Sequence, residues 1–232
     1  MPELKRGSAP TIDLIRLEKE LYNFLQELIY GSFMQEQVKP DARHISDIAL
    51  SGNGEPTSAK EFRQVIDIIG KIKLSFDSLK DLKVVLITNG SLIDRENVQA
   101  GLRRLAEING EVWFKLDSVI RERRQQINNT RMSSRQVCSN LKLSASLCPT
   151  WIQTCVFKTD GNPPTRVETK AYLEFVEKLL QEGTLIQGVL LYGLARFSMQ
   201  PESPRLTKVT KKWIESFGKE IDSLGLIVKI NM

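Results

Sequence analysis

The sequence predicts an α/β fold in which parallel strands alternate with helices. Short, largely apolar runs recur along the chain, of a length suited to buried strands. Between them lie longer segments whose apolar residues repeat at helical spacing. Several of these segments open on a capping sequence, a Ser or Thr followed three residues later by Glu or Gln. Such alternation suits a partial (β/α) barrel or a doubly wound sheet, and periodicity alone does not separate the two.

In chain order, residues 1–10 are polar, contain Pro2, Gly7 and Pro10, and form a tail. A single domain is expected over 11–232. Leu14, Leu17, Leu21, Phe24, Leu25 and Leu28 make one helical stripe that ends near Tyr30. A polar connection runs through Pro40 to His44, and the first strand covers Ile48–Leu50. It ends in two glycines, Gly52 and Gly54, followed by Glu55 and Pro56. Glycines there allow a sharp turn and a close backbone approach to a ligand. Ser58 and Glu61 form a capping box for a helix whose inner face is Phe62, Val65, Ile66, Ile69 and Ile72.

Val84–Thr88 is the second strand, closed by the turn signal Asn89-Gly90, and a helix with Val98, Leu102 and Leu105 follows. Glu111–Asp117 is the third strand, with Trp113, Lys115 and Asp117 on one face by the two-residue period. The segment 121–135 is rich in arginine, and Ser133 with Gln136 opens the next helix. Trp151–Phe157 is the fourth strand, and Thr165 with Glu168 caps a long helix that stops near Gly183. Val189–Leu194 is the fifth strand, Thr207–Leu224 the last helix, and Leu226–Ile230 the sixth strand. The chain begins on a helix, so a parallel α/β domain of this kind is expected to lack its first strand.

Composition limits the function classes. Hydrophobic content of 41% with 26% charged residues is ordinary for a water-soluble domain. No stretch approaches the roughly 18 apolar residues that cross a bilayer, and no apolar segment follows the N-terminal charges, so a cytoplasmic chain without membrane partners is expected. The net charge of +5 favours encounters with anions without establishing one. The three cysteines, Cys138, Cys148 and Cys155, are odd in number and follow no compact zinc or cluster spacing, so no metal ligands are assigned. His44 is the only histidine, which leaves little basis for a nucleophile–histidine arrangement. No Gly-Lys-Ser/Thr phosphate loop occurs.

Polar residues gather at the carboxyl ends of the apolar runs. Ser51 to Glu55, Thr88 with Asn89, Lys115 with Asp117, Gln153 with Thr154, and Tyr192 with Arg196 all fall there. In parallel α/β folds those ends meet at one rim, where ligands bind. A charged Lys115 or Asp117 within a sheet needs a partner or a ligand, and the two could also pair with each other or with Glu55. Arg121, Arg123, Arg124, Arg131 and Arg135 form either a solvated face or a phosphate-contacting surface for RNA.

These segments also carry a family resemblance. Ser51-Gly-Asn-Gly-Glu-Pro-Thr57 resembles the Ser-Gly-x-Gly-Glu-Pro motif of radical S-adenosylmethionine (radical SAM) enzymes, in the iron–sulfur oxidoreductase branch related to wyosine-base-forming enzymes. Leu86-Ile-Thr-Asn-Gly-Ser-Leu92 resembles the Thr-Asn-Gly-(Ser/Thr)-Leu segment of that branch, and Trp113-Phe-Lys-Leu-Asp-Ser118 its Leu-Asp-Ala strand with Ser118 in place of alanine. Ile127-Asn-Asn-Thr130 resembles an Ile-Asn-Arg element altered at Asn129, while Ile152-Gln-Thr and Leu191-Tyr-Gly-Leu-Ala-Arg196 are similar to later strands.

The resemblance covers roughly residues 45–230 in order. It implies a radical SAM-type partial barrel that binds S-adenosylmethionine and a 4Fe–4S cluster. Gly54 and Glu55 would meet the methionine amine, with Gly52 and Pro56 of the same motif among the cofactor-binding residues; Asn89, Lys115, Asp117 and Gln153 would make the remaining contacts. The family's Cys-x3-Cys-x2-Cys loop is missing, since no cysteine precedes Cys138. The expectation is therefore a truncated or incomplete radical-enzyme core, with the cluster carried by a missing N-terminal segment. The alternative is a non-catalytic ligand- or RNA-binding domain derived from that fold. The substrate is left open.

Overall fold

Six parallel strands form one sheet, and their order in the sheet is their order in the chain. The computed structural model describes residues 10–51, 54–195 and 201–232. The sheet runs β1 (Asp47–Leu50), β2 (Lys83–Thr88), β3 (Gly110–Lys115), β4 (Thr150–Cys155), β6 (Ile186–Tyr192) and β8 (Val228–Asn231). A small antiparallel pair, β5 (Lys158–Thr159) with β7 (Leu206–Thr207), lies apart from it. The helices are α1 (Leu14–Tyr30), α2 (Phe33–Gln37), α3 (Phe62–Leu74), α4 (Glu96–Glu107), α5 (Arg121–Asn128), α6 (Ser134–Leu147), α7 (Arg166–Gln181) and α8 (Lys211–Asp222).

The strand order resolves the choice that periodicity leaves open. A doubly wound sheet reverses direction at a switch point, whereas here every crossover steps the same way. Because parallel crossovers are right-handed, a one-way progression places the crossover helices on one face of the sheet. This is the winding of a partial (β/α) barrel.

Side-chain alternation fits that winding. Val84 and Leu86 of β2, Val112 and Phe114 of β3, Ile152 of β4, and Val189 and Leu191 of β6 are all 0% exposed and share one core with the helices. Phe62, Val65, Ile66 and Ile69 give α3 a stripe at helical spacing that packs into the same core. Burying a side chain of this size contributes about 1.5–3 kcal/mol. The helix α1 lies at the β1 end, where Leu25 meets Ile72, Phe76 and Leu79 in a separate small cluster. Among the described residues β1 is an edge strand, paired only with β2.

Capping decides several boundaries as the sequence predicts. Ser133 with Gln136 and Thr165 with Glu168 form reciprocal capping boxes at α6 and α7. The expected box of Ser58 with Glu61 does not form. Ser58 Oγ instead donates to the Glu55 carbonyl at 2.6 Å, the chain makes a short 3-10 turn over Pro56–Ser58, and α3 starts only at Phe62. Other boundaries also move. The connection before His44 contains α2 and a 3-10 turn, the arginine-rich segment contains α5, and α8 begins at Lys211, capped by Thr210, with Leu206–Thr207 paired to β5 instead. Strand β3 ends at Lys115, so Asp117 lies just beyond it.

Candidate functional site

At the carboxyl ends of β1 and β2, Glu55 joins the two strands. Its Oε1 accepts from Thr88 Oγ1 at 2.6 Å, from Thr57 Oγ1 at 2.7 Å and from the Thr57 amide at 3.3 Å. Its Oε2 accepts from the Asn89 amide at 2.8 Å. All four donors are neutral, so no cation among the described residues cancels the charge of Glu55. Thr57 and Thr88 are each 1% exposed, which holds the carboxylate from its inner side.

The network continues into the next turn. Thr88 Oγ1 accepts from the Gly90 amide at 3.0 Å, and Asn89 Oδ1 accepts from the Ser91 amide at 2.9 Å. The Gly90 carbonyl accepts from Asn140 Nδ2 of α6 at 2.8 Å. Gly90 has φ +72°, and a Cβ there would overlap ring carbons of Phe114. The Asn89-Gly90 turn therefore requires glycine for both its backbone angle and its packing.

Across β3 and β4 the face opposite the helices carries unspent polar groups. Lys115 and Gln153 are register partners, and the same row continues through Leu190 to Lys229. Lys115 is exposed and Gln153 half-buried, and neither side chain makes a hydrogen bond or ion pair among the described residues. One row toward the amino ends, the Glu111 carboxylate accepts from Trp113 Nε1 at 2.7 Å and from Trp151 Nε1 at 3.3 Å. The Lys229 ammonium sits 4.3 Å from the centroid of the Trp151 ring. The two indoles fill the floor of this face, and Lys115 and Gln153 stand above it.

Asp117 does not pair with Lys115 or Glu55. Its Oδ2 accepts from Asn128 Nδ2 at 2.6 Å, and its Oδ1 accepts from the Cys155 amide at 2.9 Å. It thereby ties the loop after β3 to the end of β4 and to α5. It also lines a cavity of about 30 Å³, room for about one water, together with Thr154, Cys155, Glu168, Thr169 and Tyr172. Burial and the nearby Asp117 charge push the Cys155 thiol up to about 12, and burial pushes Cys148 up to about 12. Both are neutral thiols rather than ready metal ligands.

Of the predicted site residues, the structure brings Gly54, Glu55 and Pro56 beside Asn89, and Lys115 beside Gln153. Asp117 stands at the next strand end, tied into the scaffold. Gly52 and Arg196 lie outside the described residues. Among the arginines, Arg123 ion-pairs with Glu168 at 3.1 Å and donates to Thr159 Oγ1 at 2.8 Å. Arg124, 3% exposed, donates to the Val119 and Met132 carbonyls and to Ser134 Oγ. Those two arginines hold the fold, while Arg121, Arg131 and Arg135 are exposed.

Thr57, Thr88, Asn128 and Asn140 are site-building residues not singled out as ligands by the sequence. The signal for Thr88 is its place as the last polar residue of an apolar run, directly before Asn89-Gly90. Among the described residues, no group of three or more His, Cys, Asp or Glu side chains is placed to hold a metal ion. No described helix is long and apolar enough to cross a membrane.

The sequence matches no protein-family profile and no curated protein sequence. Its fold does match solved structures. A domain of pyruvate-formate lyase-activating enzyme from Bacteroides vulgatus aligns with a TM-score of 0.58 at 14% identity, over 81% of this chain and 100% of that one. A radical SAM methyltransferase from Sphaerobacter thermophilus aligns with a TM-score of 0.59 at 14% identity, over 89% of this chain and 56% of that one. This chain thus spans about half the length of the methyltransferase. At such identity the likeness is one of fold.

Proposed function

We propose that this chain is an S-adenosylmethionine-binding core of the radical SAM type, of the iron–sulfur oxidoreductase branch related to wyosine-base-forming enzymes, acting in the cytoplasm. The observation that carries the reading is the pairing, at one rim, of an uncancelled negative charge with unspent donors. An ammonium needs a negative surrounding, and the rim offers the uncancelled charge of Glu55 beside the turn at Gly54. A carboxylate needs donors, and Lys115 with Gln153 supplies them from neighbouring strands. S-adenosylmethionine carries both groups on one end, with a sulfonium-linked adenosyl group that reductive cleavage releases.

The residues present do not fit a 4Fe–4S cluster. Such a cluster is held by thiolates. Here Cys138 lies on α6, Cys148 precedes β4 and Cys155 ends β4, and the last two are held neutral by burial. No electron-transfer step is assigned to this chain. Cluster ligands would have to come from outside these 232 residues, on a longer form of the chain or on another protein. The mismatch also favours a second reading, a binding domain that uses the fold without its redox chemistry.

Anaerobic reconstitution with iron and sulfide, followed by iron analysis and S-adenosylmethionine binding, tests both halves. The expected result is binding of S-adenosylmethionine with no stoichiometric iron, and affinity at least tenfold weaker in Lys115→Met. Stoichiometric four-iron loading, or no binding at millimolar S-adenosylmethionine, would overturn the proposal.

A further inference from the structure

The family resemblance gives Glu55 the part of a direct contact to the ligand's amine, but its carboxylate is largely spent within the chain. Oε1 already has three donors, two of them hydroxyls at 2.6 and 2.7 Å. An sp² carboxylate oxygen offers about two lone-pair directions, so Oε1 has no acceptor capacity left. Oε2 has one donor, the Asn89 amide. The four donors come from two segments, Thr57 after β1 and Thr88–Asn89 at the end of β2, 33 residues away for Thr88. Beside this network, Gly54 has φ +147°, and among the described residues no atom lies within 4 Å of where its Cβ would stand.

We propose that Glu55 is a positioning residue: its carboxylate clamps the end of β1 to the end of β2 through Thr57, Thr88 and Asn89, and so fixes the turn at Gly54 that receives a cationic ligand group. Thr88 is then as necessary to binding as Glu55, although it faces the carboxylate and not the ligand. The negative charge of Glu55 still draws an ammonium toward the turn, since no cation among the described residues neutralises it. This inference rests on the proposal that S-adenosylmethionine is the ligand.

The clamp makes demands that a direct contact does not. Thr88→Val keeps the shape and removes the hydroxyl donor. Glu55→Gln keeps the size but places an amide donor against one side of a four-donor cage. Thr88→Ser restores the hydroxyl. With S-adenosylmethionine as the probe, Thr88→Val and Glu55→Gln are each expected to weaken binding at least tenfold. The double variant is expected to be no weaker than the weaker single, and Thr88→Ser to return within threefold of the parent. Binding by Thr88→Val within twofold of the parent, with Glu55→Gln alone impaired, would overturn the clamp and make Glu55 a direct ligand.

Amide hydrogen exchange at Asn89 in the unliganded protein gives a readout independent of the probe. Glu55→Gln is expected to speed that exchange at least tenfold, and unchanged exchange would overturn the clamp. If the parent protein does not bind S-adenosylmethionine while exchange at Asn89 still responds to Glu55→Gln, the ligand assignment fails and the clamp stands.

Discussion

Replacing Gly90 by alanine tests the wall on which the site is built. The residue sits at φ +72°, and placing a side chain in left-handed backbone costs about 1–2 kcal/mol. The new methyl would also meet the Phe114 ring, which is 0% exposed within the main core. Overpacking of this kind costs about 1–3 kcal/mol. The sum is about 2–5 kcal/mol, equivalent to roughly 4–20 °C in melting temperature for a domain of this size.

Gly183→Ala is the matched control. Its φ is +76° but no atom lies within 4 Å of its Cβ position, so only the backbone cost of about 1–2 kcal/mol applies. Urea unfolding followed by circular dichroism measures both variants. Gly90→Ala is expected to be the less stable by at least about 1 kcal/mol, the lower end of the overpacking cost. Equal destabilisation, or a Gly90→Ala protein within about 0.5 kcal/mol of the parent, would refute the close packing of this turn on Phe114.

Other expectations follow from buried or crowded charges. Lys73 is 3% exposed and donates to the Leu82 and Ile108 carbonyls at 2.5 and 2.9 Å, and burial lowers its pKa. The unfolded chain then binds that proton more tightly, so this residue makes stability rise with pH from the folded pKa toward about 10.4. Urea midpoints across that range should rise in the parent and lose this slope in Lys73→Met. Asp47 titrates the opposite way, because burial and then the Glu111 charge raise its pKa. Its contribution is present below about 3.9 and lost as pH rises through the folded value, so Asp47→Asn should exceed the parent in stability at pH 7, with the gap closing in acid. Arg124→Ala should cost about 2–4 kcal/mol by orphaning buried carbonyls, against about 0.5 kcal/mol or less for the exposed Arg121→Ala. Cys148 should resist thiol reagents at pH 8 in the native state, on the order of a thousandfold more slowly than after unfolding.

The sequence made some elements easy to recognise and hid others, for physical reasons. Val84–Ile87 is apolar on both faces, with Val84 and Leu86 in the core beside the helices and Val85 on the other face 1% exposed, and that composition identifies a strand. The capping boxes at Ser133 and Thr165 are local, so they predicted α6 and α7 correctly. Ser58 with Glu61 carries the same pattern but loses to an equally local competitor, since the Glu55 carbonyl three residues back takes the serine hydroxyl. Arg124 looks like surface charge in sequence, and only packing shows that a guanidinium can be buried by serving carbonyls. Strand order is likewise a tertiary fact, to which periodicity is blind.

The candidate site was legible as positions and not as roles. Glu55, Asn89, Lys115 and Gln153 were identifiable as polar groups closing apolar runs. That Glu55 spends itself on Thr88 and Asn89 as well as on its neighbour Thr57, and that Asp117 spends itself on Asn128 and the Cys155 amide, depends chiefly on partners distant in sequence. The residues whose side chains are wholly uncommitted among the described residues are Lys115 and Gln153, and the register of β3 and β4 makes them neighbours.

The most direct test of the account is a calorimetric titration of S-adenosylmethionine into the iron-free chain, repeated with Lys115→Met. One site per chain in the parent, weakened at least tenfold in the variant, is the predicted result. Absence of binding in the parent, or equal binding by both proteins, would contradict a ligand site at the rim between Glu55 and Lys115.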